Sequence, residues 1–485
     1  MNRPIRALAV GCLVLFIAML ININYLQFIH ADALDARADN RRVRDAEYSE
    51  QRGPILVANK PIALSVASHD QYDFIRRYPE PTLYAPITGY YSFYSSTGLE
   101  LTQNDILTGS DSRFFVNRVV DLFGNNQPQG GSVSLTINPA AQQAAFQGLI
   151  NLPGDGIGAV AAIEPSTGAV LALATLPSFD PNRLSSHDFS SVTKNYKTLN
   201  TDPGKPLQDR AIQEIFPPGS TFKLVTSAAA LSNGYTPESM VPGGASLDLP
   251  ETTVDLVNEN GSDCGGDRIT LTQALVISCN VSYGWLGLQL GDDVLRDQAQ
   301  KFGWGEHYLD DLPGQVPSQF PDNPDQPQTA LSAIGQFDVA ATPLQMAMVG
   351  AGIANHGTVM KPYLVDQVRS PDLEVLSTTE PHELHQAVSP DVANELTQMM
   401  VEVVQNGTGT PAQIPGITVA GKTGTAQTSP DRPPYAWFVA FAPADDPKVA
   451  VAVLVANVDI PRDEITGGGL AGPIADNVIM AVIGQ

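Results

Sequence analysis

Pro217-Pro218-Gly219-Ser220-Thr221-Phe222-Lys223 carries a serine and a lysine three residues apart. Two prolines and a glycine stop whatever precedes them, and the apolar run Phe222 to Leu231 reads as a buried helix. Ser220 is therefore expected at a helix N-terminus, where free backbone N–H groups and the positive dipole end favour developing negative charge. Lys223 falls on the same face about one turn on. A serine hydroxyl is a poor nucleophile until a neighbouring base takes its proton, and a desolvated, neutral lysine can be that base. Ser-x-x-Lys alone is common at solvated helix starts. It gains meaning from two later stretches. Ser278-Cys279-Asn280 follows the apolar helical segment Leu271 to Ile277, and Lys422-Thr423-Gly424-Thr425 follows the strand expected at Ile417 to Gly421.

The elements that must hold these residues lie at the two ends of one region. Pro139 to Ile150 reads as a helix, after an alternating strand at Ser132 to Ile137. Gly158 to Ile163 and Ala169 to Ala174 are apolar runs split by the turn residues Glu164-Pro165-Ser166-Thr167-Gly168, which predicts a β-hairpin. Trp437 to Ala442 and Val449 to Val458 predict two more strands, turning at Asp445-Asp446-Pro447. A final helix is expected after Gly467-Gly468-Gly469, and the middle of the chain, to about residue 400, reads as helical. One mixed or antiparallel sheet with helices on both faces would bury all of this, an α+β arrangement.

Upstream the chain is different. Residues 7–29 carry no formal charge and are long enough to cross a bilayer, with Arg3 and Arg6 on the short N-terminal side. This predicts an uncleaved signal anchor with the rest of the chain outside the cytoplasm, and residues 1–6 inside. Two features disagree: Ala31-Asp32-Ala33 has the small-x-small form of a cleavage site, and Arg37, Arg41, Arg42 and Arg44 place more positive charge on the outer flank, although they alternate with Asp35, Asp39 and Asp45. Residues 30–130 are polar, with short extended pieces such as Ile62 to Ala67, and read as a non-catalytic domain ending in the turn-rich stretch Gly124 to Gly131. Residues 131–156 connect it to a catalytic region at 157–485. A formal net charge of −24 argues against nucleic acid and anionic lipid as partners. Three cysteines are too few for a disulfide framework.

The ordered set Ser-x-x-Lys, Ser-x-Asn, Lys-Thr-Gly is the signature of β-lactamases and penicillin-binding proteins. The chain resembles a class B penicillin-binding protein over nearly its whole length. Arg52-Gly53-Pro54-Ile55 and Thr97-Gly98-Leu99-Glu100 resemble that family's non-catalytic module. The run Ala162 to Ala172 matches its first hairpin. Phe302-Gly303-Trp304-Gly305, Leu312-Pro313-Gly314 and Gly407-Thr408-Gly409-Thr410 match further segments. The short length and the Ser-Cys-Asn form of the second motif resemble the actinobacterial penicillin-binding protein A type. Pro54 after Arg52-Gly53, and Lys205 in its Gly-Lys-Pro-Leu-Gln run, depart from the family's form.

The resemblance implies a penicillin-binding, serine β-lactamase-like transpeptidase fold and a peptidoglycan D,D-transpeptidase. Ser220 would attack the D-Ala-D-Ala donor, Lys223 would be the first base, and Ser278 would relay a proton to the leaving amine. Asn280 would bind the substrate amide. Thr423 and Thr425 would bind the donor carboxylate, with Lys422 adding charge and Gly424 completing the motif. The backbone N–H groups of Ser220 and Thr425 would form the oxyanion hole. Peptidoglycan stem peptides and β-lactams are the implied ligands, and a separate glycosyltransferase the implied partner. No metal or organic cofactor enters this scheme. A hydrolase on the same chemistry, or a β-lactam sensor without turnover, is the competing reading.

Several residues have blander readings. His382-Glu383-Leu384-His385 is one residue too short for a metalloprotease helix and follows Pro381, so a polar loop is expected. Glu306 sits where a β-lactamase places a deacylating glutamate, but Asp310 departs from that pattern. Tyr90 and Tyr91 are expected in a core. Cys264 and Cys279 lie in the exported region, fifteen residues apart with glycines between them. A bridge there would tie a loop to the second motif; two free thiols, one of them a core residue, is the alternative.

Overall fold

The computed structural model describes residues 2–30, 34, 48–114, 129–259, 261–372, 374–429 and 431–484. The flanking arginines and aspartates of 35–45, Ala31-Asp32-Ala33 and residues 124–128 of the turn-rich stretch lie outside them. Helix α1, Asn2–Asn24, continues through a π turn at Tyr25–Ile29. Its apolar side chains are exposed over Arg3–Gln27, where mean hydropathy is 2.4, and it is the one helix among the described residues long and apolar enough to cross a membrane.

Strands β1 (Ile55–Val57), β2 (Lys60–Ala67), β3 (Phe74–Arg77) and β4 (Ser132–Leu135) belong to a six-stranded sheet. Its last two members come from far downstream, Val365–Arg369 and Val375–Thr378, in the order Val375–Thr378, Val365–Arg369, β4, β1, β2, β3. The middle of the chain is therefore not all helix. These short strands alternate their burial only weakly, so sequence periodicity does not separate them from loop. Nor do residues 130 and 156 mark a boundary of this sheet, because β4 and the 365–378 pair complete it.

The two first-domain segments that carried the resemblance meet at one carboxylate. Glu100 is fully buried, with Oε2 2.7 Å from Arg52 Nε and Oε1 2.6 Å from Arg76 Nε. Tyr78 donates to Oε1 at 3.1 Å, and the Arg52 guanidinium lies 4.3 Å above the Tyr91 ring. Burial opposes the charge of Glu100, but the two arginines outweigh it and hold the carboxyl below its ordinary value. Tyr90 and Tyr91 are both buried. Glu100→Gln leaves two buried cations without their counter-charge, and a loss of about 3–5 kcal/mol of stability is expected. A shift of less than about 1 kcal/mol in denaturant unfolding would show that the triad does not hold this domain.

Helix α2, Pro139–Ile150, begins where Asn138 accepts from Ala140 N and Ala141 N and proline occupies the first turn. The central sheet follows: β5 (Ile157–Ile163), β6 (Val170–Leu176), β7 (Ala420–Ala426), β8 (Tyr435–Ala442) and β9 (Val449–Asn457). The order is β7-β8-β9-β5-β6, antiparallel throughout. Eight of the nine residues of β9 are buried, because helices cover both faces and the usual polar alternation has no exposed side to serve. Helix α3, Lys223–Ser232, carries the first motif. Helix α4, Asn280–Leu290, carries the second. Helix α5, Pro343–Ala354, is buried at every residue and packs against β5, β8 and β9. Helix α6, Gly472–Ile483, pairs with α2 over the sheet.

The third motif lies inside a strand and does not follow one. The expected strand Ile417 to Gly421 is displaced to Ala420–Ala426, so Lys422 to Thr425 pair with Val439 to Ala436.

Candidate active site

Ser220 stands in a 3-10 turn, Gly219–Phe222, that runs directly into α3. Neighbouring elements fix that turn. Trp437 of β8 donates its indole N–H to Pro217 O at 2.9 Å, and Gly219 N donates to Gly335 O at 3.0 Å. Gly219 has φ +52°, and a Cβ there would come within 3.0 Å of Ala426. Gly424 faces the same turn from the other side. A Cβ on it would meet Pro218 O and Thr221 Cγ2 at 2.9 Å. Gly424, expected among the substrate-binding residues, lets the third motif lie against the turn of Ser220; a cavity alongside is lined by Thr423 and Thr425.

Lys223 is fully buried. Its Nζ donates at 2.8 Å to both Ser278 O and Asn280 Oδ1, and lies 3.2 Å from Ser278 Oγ. Burial, and then the neighbouring Lys422, push the Lys223 ammonium well below its ordinary pKa, against a smaller opposing pull from Glu259. The geometry fits the neutral amine. Two N–H groups find two oxygens that can only accept, and the lone pair is left for a hydroxyl proton. Asn280 therefore spends its carbonyl oxygen on the lysine. Its amide donates to Val257 O at 3.3 Å, on the exposed side, where a substrate amide could compete for it.

Lys422 is also fully buried, with Nζ donating to Thr423 O at 3.0 Å. Burial lowers its pKa to about 7, with Glu259 pulling the other way. Its positive field is thus present below about pH 7 and fades above it. The Thr408 and Thr423 hydroxyls are 2.6 Å apart, which explains the Gly-Thr-Gly-Thr segment: Gly407 passes Val276 O so closely that a Cβ would lie 2.3 Å from it.

These residues meet around a cavity of about 730 Å³ whose lining includes Ser220, Ser278, Cys279, Thr408, Thr423, Thr425 and the backbone of Gly467 to Gly469. A second hollow of about 510 Å³ reaches Ser220 from the side of Asn280, Val257 and Phe337. Asn258 and Glu259 line both. Sequence reasoning missed them, because Asn258-Glu259-Asn260-Gly261 reads only as a turn. Ser278 has φ +60°, the left-handed region that a serine rarely adopts, which marks a constrained position.

Cys264 and Cys279 form a disulfide with Cα atoms 6.0 Å apart, tying the loop after residue 258 to the second motif. Cys12 in α1 is free. Thiol titration of the denatured, unreduced full chain is expected to find one thiol; three would rule the bridge out. Closing a loop of fifteen residues contributes about 3 kcal/mol in the chain-entropy account. Reductant is therefore expected to lower the unfolding free energy by that order.

The remaining candidates are elsewhere. His385 Nε2 lies 2.6 Å from Glu306 Oε1, so the glutamate that might have deacylated the enzyme is paired, and it does not line either hollow beside Ser220. No group of three or more metal-ligating side chains occurs among the described residues.

Comparison with known proteins supplies the context. A family model for the penicillin binding protein transpeptidase domain matches residues 158–480, and one for the penicillin binding protein A dimerisation domain matches residues 52–133. The chain is 44% identical to peptidoglycan D,D-transpeptidase PbpA of Mycolicibacterium smegmatis over 100% of its length and 99% of the relative's. Identity and coverage are the same for PbpA of Mycobacterium tuberculosis. The solved structure of penicillin-binding protein A from M. tuberculosis as a penicillin G acyl-enzyme superposes with a TM-score of 0.85 at 44% identity, covering 90% of this chain and 100% of that one.

Proposed function

The chain belongs to the penicillin-binding protein transpeptidase family, as a peptidoglycan D,D-transpeptidase and β-lactam target, and from that premise we propose which of its residues perform the reaction. The observation that carries the assignment is the three-way contact of a buried lysine with the Ser278 backbone, the Ser278 hydroxyl and Asn280, one turn from Ser220.

Lys223, neutral at rest, takes the Ser220 proton as Oγ attacks the carbonyl joining the two D-alanines. An ester forms at Ser220 and the peptide C–N bond breaks. Ser278 Oγ, 3.2 Å from Lys223 Nζ, passes the proton to the departing D-alanine nitrogen. The positive end of the turn and the backbone N–H groups of Ser220 and Thr425 stabilise the oxyanion. Thr423 and Thr425 take the donor carboxylate, Lys422 adding charge when protonated. An amine of a second stem peptide then attacks the ester, gives its proton back through the same pair, and leaves a new amide crosslink with Ser220 restored. A β-lactam enters by the first half of this path.

We further assign α1 as a single membrane anchor, with everything after it on the extracytoplasmic side. The first domain serves as the non-catalytic pedestal, and glycan polymerisation falls to a partner glycosyltransferase. The test of the whole reading is a donor pentapeptide ending in D-Ala-D-Ala, incubated with and without an amine acceptor. Released D-alanine should appear together with crosslinked product when the acceptor is present. D-alanine release with hydrolysed donor alone, at every acceptor concentration, would identify a carboxypeptidase.

A further inference from the structure

Helix α4 begins at Asn280, and its N-cap residue is Cys279. An N-cap side chain ordinarily accepts from the first free amides of its helix. Cys279 makes no capping hydrogen bond, and its sulfur is committed to Cys264. Asn258, from another loop, takes the vacant role. Its Oδ1 accepts from Asn280 N at 3.0 Å and Val281 N at 3.2 Å. Its Nδ2 donates to Gly244 O at 3.0 Å and to Ser262 O at 2.8 Å. The side chain is only 6% exposed. A flipped amide would set N–H against N–H and oxygen against oxygen, so the network itself fixes the orientation.

We propose that Asn258 is a positioning residue for this reaction, a cap supplied in trans that fixes the start of α4 and, through it, the oxygens that hold Lys223. The proposal rests on the reading of Ser220 as nucleophile and Lys223 as base. All three oxygens around Lys223 Nζ, Ser278 O, Ser278 Oγ and Asn280 Oδ1, belong to the residues that lead into this helix. The same loop grips Asn280 at its other end, since Val257 O accepts from Asn280 Nδ2. The disulfide holds the loop to Cys279 by a covalent bond, but a bond at the residue before the helix does not satisfy the helix amides. Asn258 does both, joining the helix start to the loop backbone at Gly244 and Ser262. An error of about 1 Å in a catalytic group can cost about 100-fold in rate.

The experiment is acylation of the full chain in detergent by a labelled penicillin, followed across pH, with the modified serine identified by mass spectrometry. Asn258→Ala is expected to lower the second-order acylation rate at least about tenfold. In an Asn280→Ala background the same change should cost clearly less than in wild type, because one of the oxygens it places is already gone. A purely structural role would multiply the two losses, and that result overturns the proposal, as does Asn258→Ala within twofold of wild type. Asn258→Asp keeps the two acceptor contacts, gives up the donations to Gly244 O and Ser262 O, and adds negative charge near Lys223 and Lys422, on the side where Glu259 already acts. Its plateau rate should exceed that of Asn258→Ala, with the profile moved to higher pH. Equal plateau loss in the two variants overturns the proposal. Should Asn258→Ala fail to fold, the Asp variant decides by the same plateau, read against wild type: recovery to within about fivefold supports the cap, and a deeper loss overturns it. Wild type unlabelled at Ser220 would sink the underlying reading, and this inference with it.

Discussion

Ser220→Ala is expected to abolish covalent labelling by penicillin and to remove transpeptidation altogether. No other hydroxyl in the cavity has the same surroundings. Ser220 stands at the head of α3, its turn held by Trp437 and Gly335, one turn from a buried lysine. The Ser278 hydroxyl is already within 3.2 Å of that lysine and sits on strained backbone. Loss of the nucleophile in serine hydrolases is worth on the order of 10⁶ in turnover. Mass spectrometry of the intact chain after penicillin should show one adduct in wild type and none in the variant. An adduct on Ser278, or on any serine in Ser220→Ala at a rate near wild type, would reassign the nucleophile.

Lys223→Ala should be the second large loss, about 10²–10⁴-fold in acylation, the usual contribution of a positioned base. The pH behaviour separates loss of the base from loss of packing. If Lys223 is the base it works when neutral, so wild-type acylation rises with pH through the folded-state pKa of Lys223, until the Lys422 charge fades above about pH 7. That pKa is depressed by burial and by Lys422. The rise should vanish in Lys223→Ala, leaving a low rate at every accessible pH. Linkage gives a second reading of the same shift. In the unfolded chain Lys223 keeps its proton up to about pH 10.4, while in the folded chain it has already released it. Stability from this source therefore rises with pH between the depressed folded-state pKa and that value, and falls as pH drops below it. A Lys223→Ala variant that acylates near the wild-type rate and keeps its pH dependence would move the base elsewhere.

Much of this site was legible because its chemistry is local. Ser220 and Lys223 share a helix turn, and the Pro-Pro-Gly stop that precedes them is a property of three adjacent residues. Helix α2 was readable over its full length, since Asn138 and Pro139 carry its start signal in sequence. What depended on distant partners was not readable. The Lys-Thr-Gly strand begins three residues later than expected and runs on through Gly424, because glycine weakens a strand pattern while permitting the close approach of Pro218 that the site requires. Asn258 carries no signal in its own sequence neighbourhood, and its meaning comes only from amides 22 and 23 residues onward. The strands at 365–378 were submerged in a stretch read as helical: Val365–Arg369 finds its sheet partner more than two hundred residues earlier, and Val375–Thr378 pairs with Val365–Arg369.

That last pairing bears on the order in which the chain can fold. Strand β4 forms hydrogen bonds with β1 on one side and with Val365–Arg369 on the other. A chain emerging from its N-terminus delivers β1 to β4 early, and the strand that closes their open edge only after the first and second motifs have already passed. Until then β4 presents an unpaired row of backbone groups, the kind of edge that recruits foreign strands. Such long-range closure is intrinsically slow. The sheet of the first domain therefore cannot be completed ahead of the catalytic half. A chain stopped by truncation anywhere between residues 135 and 365 should be a sticky fragment, open to proteolysis, and not a folded first domain.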